Sequence, residues 1–413
     1  MADQGQRRDP VAAAVEAAHQ EMWRRFILQR DDYGIVLDYT GLDGTVYLPT
    51  PEECAQGKPN ALAWWCPAEN GGFFNGLYID GLLNRWKATG VEADCQRAER
   101  LAHGLLALSE VGERPGFVAR GICGDGRSHH ALGSDDQTAP WFYGLWKYWQ
   151  SGLADAVMKA RISKRFTAVA MEIEKLGWQM PADRDPFTIR GSWAKGNFIH
   201  AVRVLFMLKL MEQVTGEPRW GELYRKVGAE VPEGSDKSRF EWCGQGIRDK
   251  DEYWTSASSQ SCLRELYGWE DDPALKAMYK AGLDTNAKRA LAFIREERNW
   301  AFDNETTLAF DPDWRFLNEW WEPQQTEEDA LRVAHEQHKQ WVRRSPRKLY
   351  EGTYVREPLF AAWFILLSGD AQLVEAAREP IRRLLTHYVW EKLHFSYFYM
   401  AEIVYFEARR FNL

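Results

Sequence analysis

The sequence predicts an all-α protein. Apolar residues recur at three- and four-residue spacing through most of the chain, alternating stretches are few, and glycine-marked turns punctuate the helical segments at a steady interval. In chain order the helical pattern covers 11–29, 75–89, 92–110, 140–151, 154–176, 193–215, 257–268, 273–297, 326–342, 351–367, 371–387 and 395–410. A weaker helix is expected at 218–229. The segments "GIVLDYT" (34–40) and "GTVYLP" (44–49) alternate instead, and predict a short hairpin around Leu42, Asp43 and Gly44.

The turns order these helices into pairs. "KATGVEAD", "WQSGLADA", "QVTGEPRW", "YGWEDDPA" and "LLSGDAQL" each follow an aromatic-rich helix and precede a second one. Gly90, Gly152, Gly216, Gly268 and Gly369 sit at or near the turn, where glycine accepts the left-handed conformation that ends a helix. The acid or proline that follows suits the next helix start. The spacing is roughly 50–65 residues with one double gap, the length of a helical hairpin plus a loop, so about six pairs fit if the first helix pairs with the last. One set of connections is short. The other is long and irregular, near 30–70, 111–138, 177–192, 230–256, 298–325 and 388–394. Side-by-side hairpins would place all the long loops at one end, predicting a closed ring with one functional face in a single domain, residues 1–413.

Composition narrows the partners. The net charge is −8, from 52 basic and 60 acidic residues, which argues against nucleic acid. No apolar run is long enough to span a membrane. The start, "MADQGQRRDP", carries no apolar export signal, so a cytoplasmic location is expected. The six cysteines form no C-x-x-C pair, so they are read as reduced packing residues, with no metal and no cofactor expected. Phosphate-binding and serine-hydrolase motifs are absent. The 20 tryptophans are many, and the flat apolar indole face suits stacking on sugars as well as packing a core.

The long loops hold the unusual chemistry. In "PNALAWWCPAENGGFFNGLYIDGLL" (59–83), Glu69 and Asn70 precede a helix, where they can meet a ligand or cap it, and Asp80 follows inside the helix. "GFVARGICGDGRSHHALGSDDQTAP" (116–140) brings Arg120, Arg127, His129, His130, Asp135 and Asp136 into one glycine-rich loop. Adjacent carboxylates repel, and one can keep a proton for general acid or base work; one can equally cap the helix that follows. After "DRDPFTIRG", Trp193, Asn197 and His200 share one helical face, while Arg190 and Lys195 can hold a carboxylate. Glu241, Trp242, Arg248, Trp254, Glu319, Trp320 and Trp321 come from two later loops, where aromatics beside acids fit either carbohydrate subsites or local cores.

With these motifs the chain resembles the six-hairpin glycosidase superfamily, the (α/α)6 toroids. "FFNGLYIDGLLNRWKATG" and "PWFYGLWKYWQSG" resemble the inner-helix-then-turn segments of the unsaturated glucuronyl and rhamnogalacturonyl hydrolases, families 88 and 105. The resemblance implies a toroid with a catalytic aspartate at the start of an inner helix, the placement of Asp135 and Asp136. Those hydrolases take a second aspartate from the next inner helix, which here reads "GSWAKGNFIHAVRVL" and holds no acid.

The function expected from this reading is hydrolysis of an oligosaccharide, at a terminal uronic acid or other acidic sugar. Asp135 or Asp136 would supply the acid or base, and Glu69 or Glu241 the partner carboxylate. Arg127, Arg190, Lys195, His129 and His130 would recognise polar or charged groups, with Asn70 beside them. Trp141, Trp193, Trp242 and Trp254 would form stacking walls. A uronate lyase, with His200 or a tyrosine as base and Asn197 or Arg190 neutralising the carboxylate, stands as an alternative. So do a non-catalytic glycan-binding toroid and a sugar epimerase or isomerase.

Overall fold

The computed structural model describes residues 9–412; the start read above, residues 1–8, lies outside them. The chain begins with α1 (Pro10–Arg25), whose first turn is closed by the Asp9 carboxylate, and continues into β1 (Ile27–Gln29) and β2 (Gly34–Val36). A short α2 (Pro51–Gln56) is held by a capping box in which Thr50 and Glu53 exchange hydrogen bonds. The pairs α3 (Gly71–Thr89) with α4 (Glu92–Glu110) and α5 (Asp135–Gln150) with α6 (Ala156–Lys175) come next. Then β3 (Gln179–Pro181) and β4 (Ile189–Ser192) precede α7 (Phe198–Thr215), α8 (Pro218–Ala229) and the short α9 (Arg239–Gln245). The second half holds α10 (Tyr253–Trp269), α11 (Pro273–Arg295), α12 (Glu327–Arg344) and α13 (Arg347–Glu351). A π turn (Gly352–Arg356) joins α13 to α14 (Glu357–Ser368), and α15 (Ala371–His387) and α16 (Tyr399–Ala408) close the chain. The protein is all-α, with two small two-stranded antiparallel sheets among the described residues.

The helices divide by how much of their surface is apolar. In α14 the run Pro358–Ser368 is buried on every side, as its sequence "PLFAAWFILLS" requires. Its partner α15 buries Val374, Ala377, Ile381, Leu384 and Leu385 and leaves the opposite face to solvent. The same contrast separates the largely buried α3, α5, α7 and α16 from the one-sided α4, α6, α8 and α1. The buried helices touch one another: α3 packs on α5 and α16, α10 on α7, α5 and α14, α14 on α16, and α5 on α7. α1 packs on α16 and α15, the first helix beside the last two.

The glycine punctuation holds at four of five positions. Gly90, Gly216 and Gly369 end their helices in the left-handed conformation, and Gly152 also has positive φ. Gly268 differs: it lies inside α10, which runs on to Trp269 and stops where Glu270 turns extended. The hairpin expected over 34–49 does not form. β2 pairs with β1, the segment expected to complete the first helix, and Tyr39 bridges to Phe395. The turn at 41–45 is present, closed by Gly41 N–H to Thr45 O and by Asp43, but it leads into irregular chain because the preceding strand's partners are already taken.

Two glycines set the closest helix contact. Gly76 of α3 and Gly144 of α5 lie backbone to backbone, and a Cβ on either would run into the other helix. At the head of the same pair, Gln137 Oε1 accepts from Phe73 N at 2.8 Å and Gln137 Nε2 donates to Asn70 Oδ1 at 2.8 Å. This buried amide brings the starts of α3 and α5, hence Asn70 and Asp136, side by side.

No helix among the described residues is long and apolar enough to cross a membrane. The six cysteines are all buried and free.

Candidate active-site cleft

A cleft of about 520 Å³ opens where the long loops meet the starts of α3, α5 and α10 and the π turn before α14. Asp38, Glu69, Asp136, Glu252 and Glu357 bring carboxyl groups to it. Arg120, Lys348 and Arg356 bring cations, and Trp64, Trp65, Trp254 and Tyr397 bring aromatic faces.

Asp38 follows β2 and is 5% exposed. Its carboxyl accepts from Asn70 N at 2.8 Å and from Asn70 Nδ2 at 2.5 Å. Burial and the neighbouring Glu69 carboxylate push Asp38 well above the usual carboxylate range, against the opposing pull of Asn70 and Arg120. Asp38 therefore holds its proton more readily than a free carboxyl does. Glu69 accepts from Trp65 N at 2.8 Å. Trp65 itself holds a φ of 75°, a conformation costly for a bulky residue, and this turn directs its indole into the cleft, with Nε1 donating to Ala334 O.

Arg120 joins these acids. Its Nε donates to Glu69 O at 3.0 Å, and its Nη1 stands 3.6 Å from Asp136 Oδ1, too far for a hydrogen bond. Nη1 is buried without a hydrogen-bond partner. Lys348 lies 3.5 Å above the Trp65 ring, and among the described residues no carboxylate comes within ion-pair distance of it. Burial pulls its amine down to about 8. His338 stacks on Trp65 at 4.9 Å, and burial, with Lys348 nearby, lowers its imidazole to about 4. Across the cleft, Arg356 sits 4.3 Å from the Trp254 ring and pairs with Glu357 at 3.1 Å. Burial raises the Glu357 carboxyl, which also accepts from Tyr253 N. The π turn that carries Arg356 departs from the regular helical register, a distortion frequent at functional sites.

The sequence candidates separate. Glu69, Asn70, Asp136 and Trp254 line the cleft. Asp135 does not. It pairs with Arg203 at 3.0 Å and His200 at 3.5 Å. Burial works against its charge, but His200 and Arg203 outweigh it and hold the carboxyl well below the usual range. Gly191, φ 83°, presses its backbone against Asp135, leaving no room for a Cβ. Asn197 caps α7 and bonds the His200 ring at 2.9 Å. Trp193 is buried and donates to Asp135 O at 3.1 Å. These residues brace the start of α5. Arg190 pairs with Glu327 and lies 6.0 Å from the cleft's Trp64 ring.

Others are placed elsewhere. Trp141 is wholly buried, its indole donating to Leu105 O, because α5 turns that face into the core. His129 bonds Asp183 at 2.9 Å and His130 bonds Lys58 O at 2.8 Å, so both hold loops together. Arg127 and Lys195 are exposed. Glu241 is the exposed half of a capping box with Ser238, and Trp242 donates to Ser235 Oγ. Asp80 lies about 14 Å further along α3 than the cleft, paired with Lys147 at 3.4 Å.

Asp38, Lys348 and Arg356 are among the cleft residues the sequence did not single out, with Glu252, His338, Glu357 and Tyr397. Asp38 sat in a segment read as a hairpin strand, Lys348 in the connection between two expected helices, and Arg356 in a segment read as regular helix. Only a break in helical phase at Gly352 could have marked the latter. Among the described residues no group of three or more His, Cys, Asp or Glu side chains is arranged to hold a metal ion. No family model, curated protein or solved structure matches the chain.

Proposed function

We propose that the chain is a glycoside hydrolase, acting at a terminal uronic acid or other acidic sugar, with its chemistry in the Asp38–Glu69–Asp136 cleft. The observation that carries this reading is a buried carboxyl pushed well above the usual carboxylate range beside further carboxylates, in a tryptophan-walled pocket that also holds Arg120 and Lys348. Glycosidic cleavage requires that division of labour: one acid to protonate the leaving oxygen, one carboxylate to receive the developing positive charge or activate water. Asp38 donates the proton. Asp136, at the first turn of α5, is the carboxylate, where the helix's N-terminal amides favour its charge. Arg120 holds both acids in register through Glu69 and Asn70. Trp65 and Trp254 stack on sugar rings, and Lys348 with Arg120 Nη1 binds the anionic group of the substrate.

We read the packing order α3, α5, α7, α10, α14, α16 and back to α3 as the inner ring of a six-hairpin toroid. The cleft would then lie at the long-loop mouth of that ring. The departure from families 88 and 105 is then one of origin: the second acid comes from the segment after β2 rather than from α7.

The test is incubation of the full chain with oligosaccharides ending in uronic acids, reading new reducing ends. Asp38→Asn and Asp136→Asn are expected to lose turnover while folding normally; unchanged turnover in both would overturn the assignment. The lyase alternative has one observation in its favour: Lys348, lowered to about 8, is a competent base near neutral pH beside the carboxylate-binding arginines. Burial instead raises Tyr397, which is unsuited to that role. A conjugated unsaturated uronate among the products, seen by its ultraviolet absorbance, would select the lyase.

A further inference from the structure

Two of the six cysteines stand apart from the rest. Cys54 lies in α2 and Cys123 in the loop that carries Arg120, yet their sulfurs are in direct contact at 2.9 Å. Cys66 and Cys95 instead donate to the carbonyls of Ala63 and Glu92, and Cys243 and Cys262 are buried in the core. A basic group accompanies the pair. His130 Nε2 is 2.8 Å from Lys58 O, a carbonyl that can only accept, so Nε2 carries a hydrogen and Nδ1 is free to face sulfur. That Nδ1 is 4.0 Å from Cys54 Sγ. Donation from the Cys123 thiol, with His130 nearby, pulls the Cys54 thiol down to about 5 despite burial. Cys54 thereby has the thiolate character of a reactive cysteine and Cys123 the position of its resolving partner.

Cys54 also forms part of the wall of an open cavity of about 280 Å³, between α2, the Arg184–Phe187 loop and Trp321. Nothing else described for the protein uses this cavity, which is separate from the acidic cleft.

We propose that Cys54 and Cys123 are a redox modification site that closes to a disulfide when hydrogen peroxide enters through this cavity. The Cys54 thiolate attacks one peroxide oxygen, the O–O bond breaks, a sulfenic acid forms, and the departing hydroxide takes up the proton given up by the Cys54 thiol, leaving as one water. Cys123 then attacks that sulfur, its proton leaves with the departing hydroxyl as a second water, and the S–S bond forms. Two thiols are oxidised by two electrons and one peroxide is reduced. The new bond closes a loop containing Trp64, Trp65, Glu69, Asn70 and Arg120, so it pins two of the segments that build the cleft.

The experiment treats the purified full chain with hydrogen peroxide and needs no turnover assay, so it stands or fails independently of the hydrolase reading. Denatured thiol titration is expected to fall from the six thiols of the reduced chain by two. The intact mass is expected to drop by two hydrogens, a digest to yield one peptide joining Cys54 to Cys123, and dithiothreitol to reverse all three. Cys54→Ser and Cys123→Ser should each abolish the linked peptide, while Cys66→Ser should retain it. Persistence of all thiols, over-oxidation without a link, or a link through another cysteine would overturn the proposal. Because peptide mapping of the unmutated chain gives the answer alone, a serine variant that fails to fold leaves the test intact.

Discussion

The two ends of the helical assembly use the same kinds of residue to opposite effect. At the end away from the cleft, Asp80 accepts from Tyr143 at 2.7 Å and pairs with Lys147. Lys147 also pairs with Glu265, which accepts from Trp146, and Glu407 pairs with Arg410. Each of these charges has a partner. At the cleft end, burial and Glu69 push Asp38 toward its neutral form, Arg120 Nη1 makes no hydrogen bond and stands 3.6 Å from Asp136, and Lys348 rests on an indole. A buried charge without close compensation costs free energy, so the first arrangement serves folding, and on the proposed reading the second would be compensated by a bound ligand.

That contrast can be broken in several ways. The largest effect is expected at the cleft: Asp38→Asn and Asp136→Asn should each lower turnover on a uronate oligosaccharide by about 10²–10⁴-fold, with thermal unfolding nearly unchanged. At the far end the signs reverse. Lys147→Met leaves Asp80 and Glu265 facing each other without their cation and should cost about 3 kcal/mol in denaturant unfolding, with turnover nearly unaffected. If Lys147→Met instead abolished turnover at full stability, the division between the two ends would be wrong.

Smaller effects sharpen the same point. Lys348→Met removes a buried charge that has no ion-pair partner, so stability should hold or rise while KM for an anionic substrate rises roughly tenfold. The pH dependence follows from burial holding the folded-state amine at about 8, below its ordinary value near 10.4. Below about 8 the amine is charged and binds the anion, so KM should climb as pH passes 8. Between about 8 and 10 the unfolded chain holds more protons at this site than the folded one, so Lys348 adds stability as pH rises. Titrating KM and the unfolding midpoint together should show these opposite trends, and both should vanish in Lys348→Met. The smallest effect belongs to Glu241→Gln: this exposed capping residue should leave turnover unchanged, and a kinetic loss would place it in the chemistry after all.

Much of the fold was legible because helical periodicity and glycine stops act over a few residues. α4 and α15 lie where their apolar spacing put them, and Gly90, Gly216 and Gly369 end their helices as their flexibility suggests. The site was only partly legible. The "SDD" stretch drew notice as a pair, but its two carboxylates diverge: Asp136 faces the cleft and Asp135 turns to Arg203 and His200. Adjacent side chains on a helix point about 100° apart, so a shared sequence signal need not mean a shared environment. Trp141 misled for a related reason, since an indole that would suit a sugar suits a core equally well.

The sequence by itself determined the helices, their pairing through short glycine turns, and the clustering of polar chemistry in the long connections. These follow from local conformational preference and from the period of the apolar pattern. Only the tertiary structure decided which of these groups meet in the cleft. Asp38 meets Asn70 across 32 residues and Lys348 meets Trp65 across far more, and neither proximity leaves a mark in the local pattern. Burial and the neighbouring charge shift protonation, and both are properties of the packed chain rather than of any segment of it.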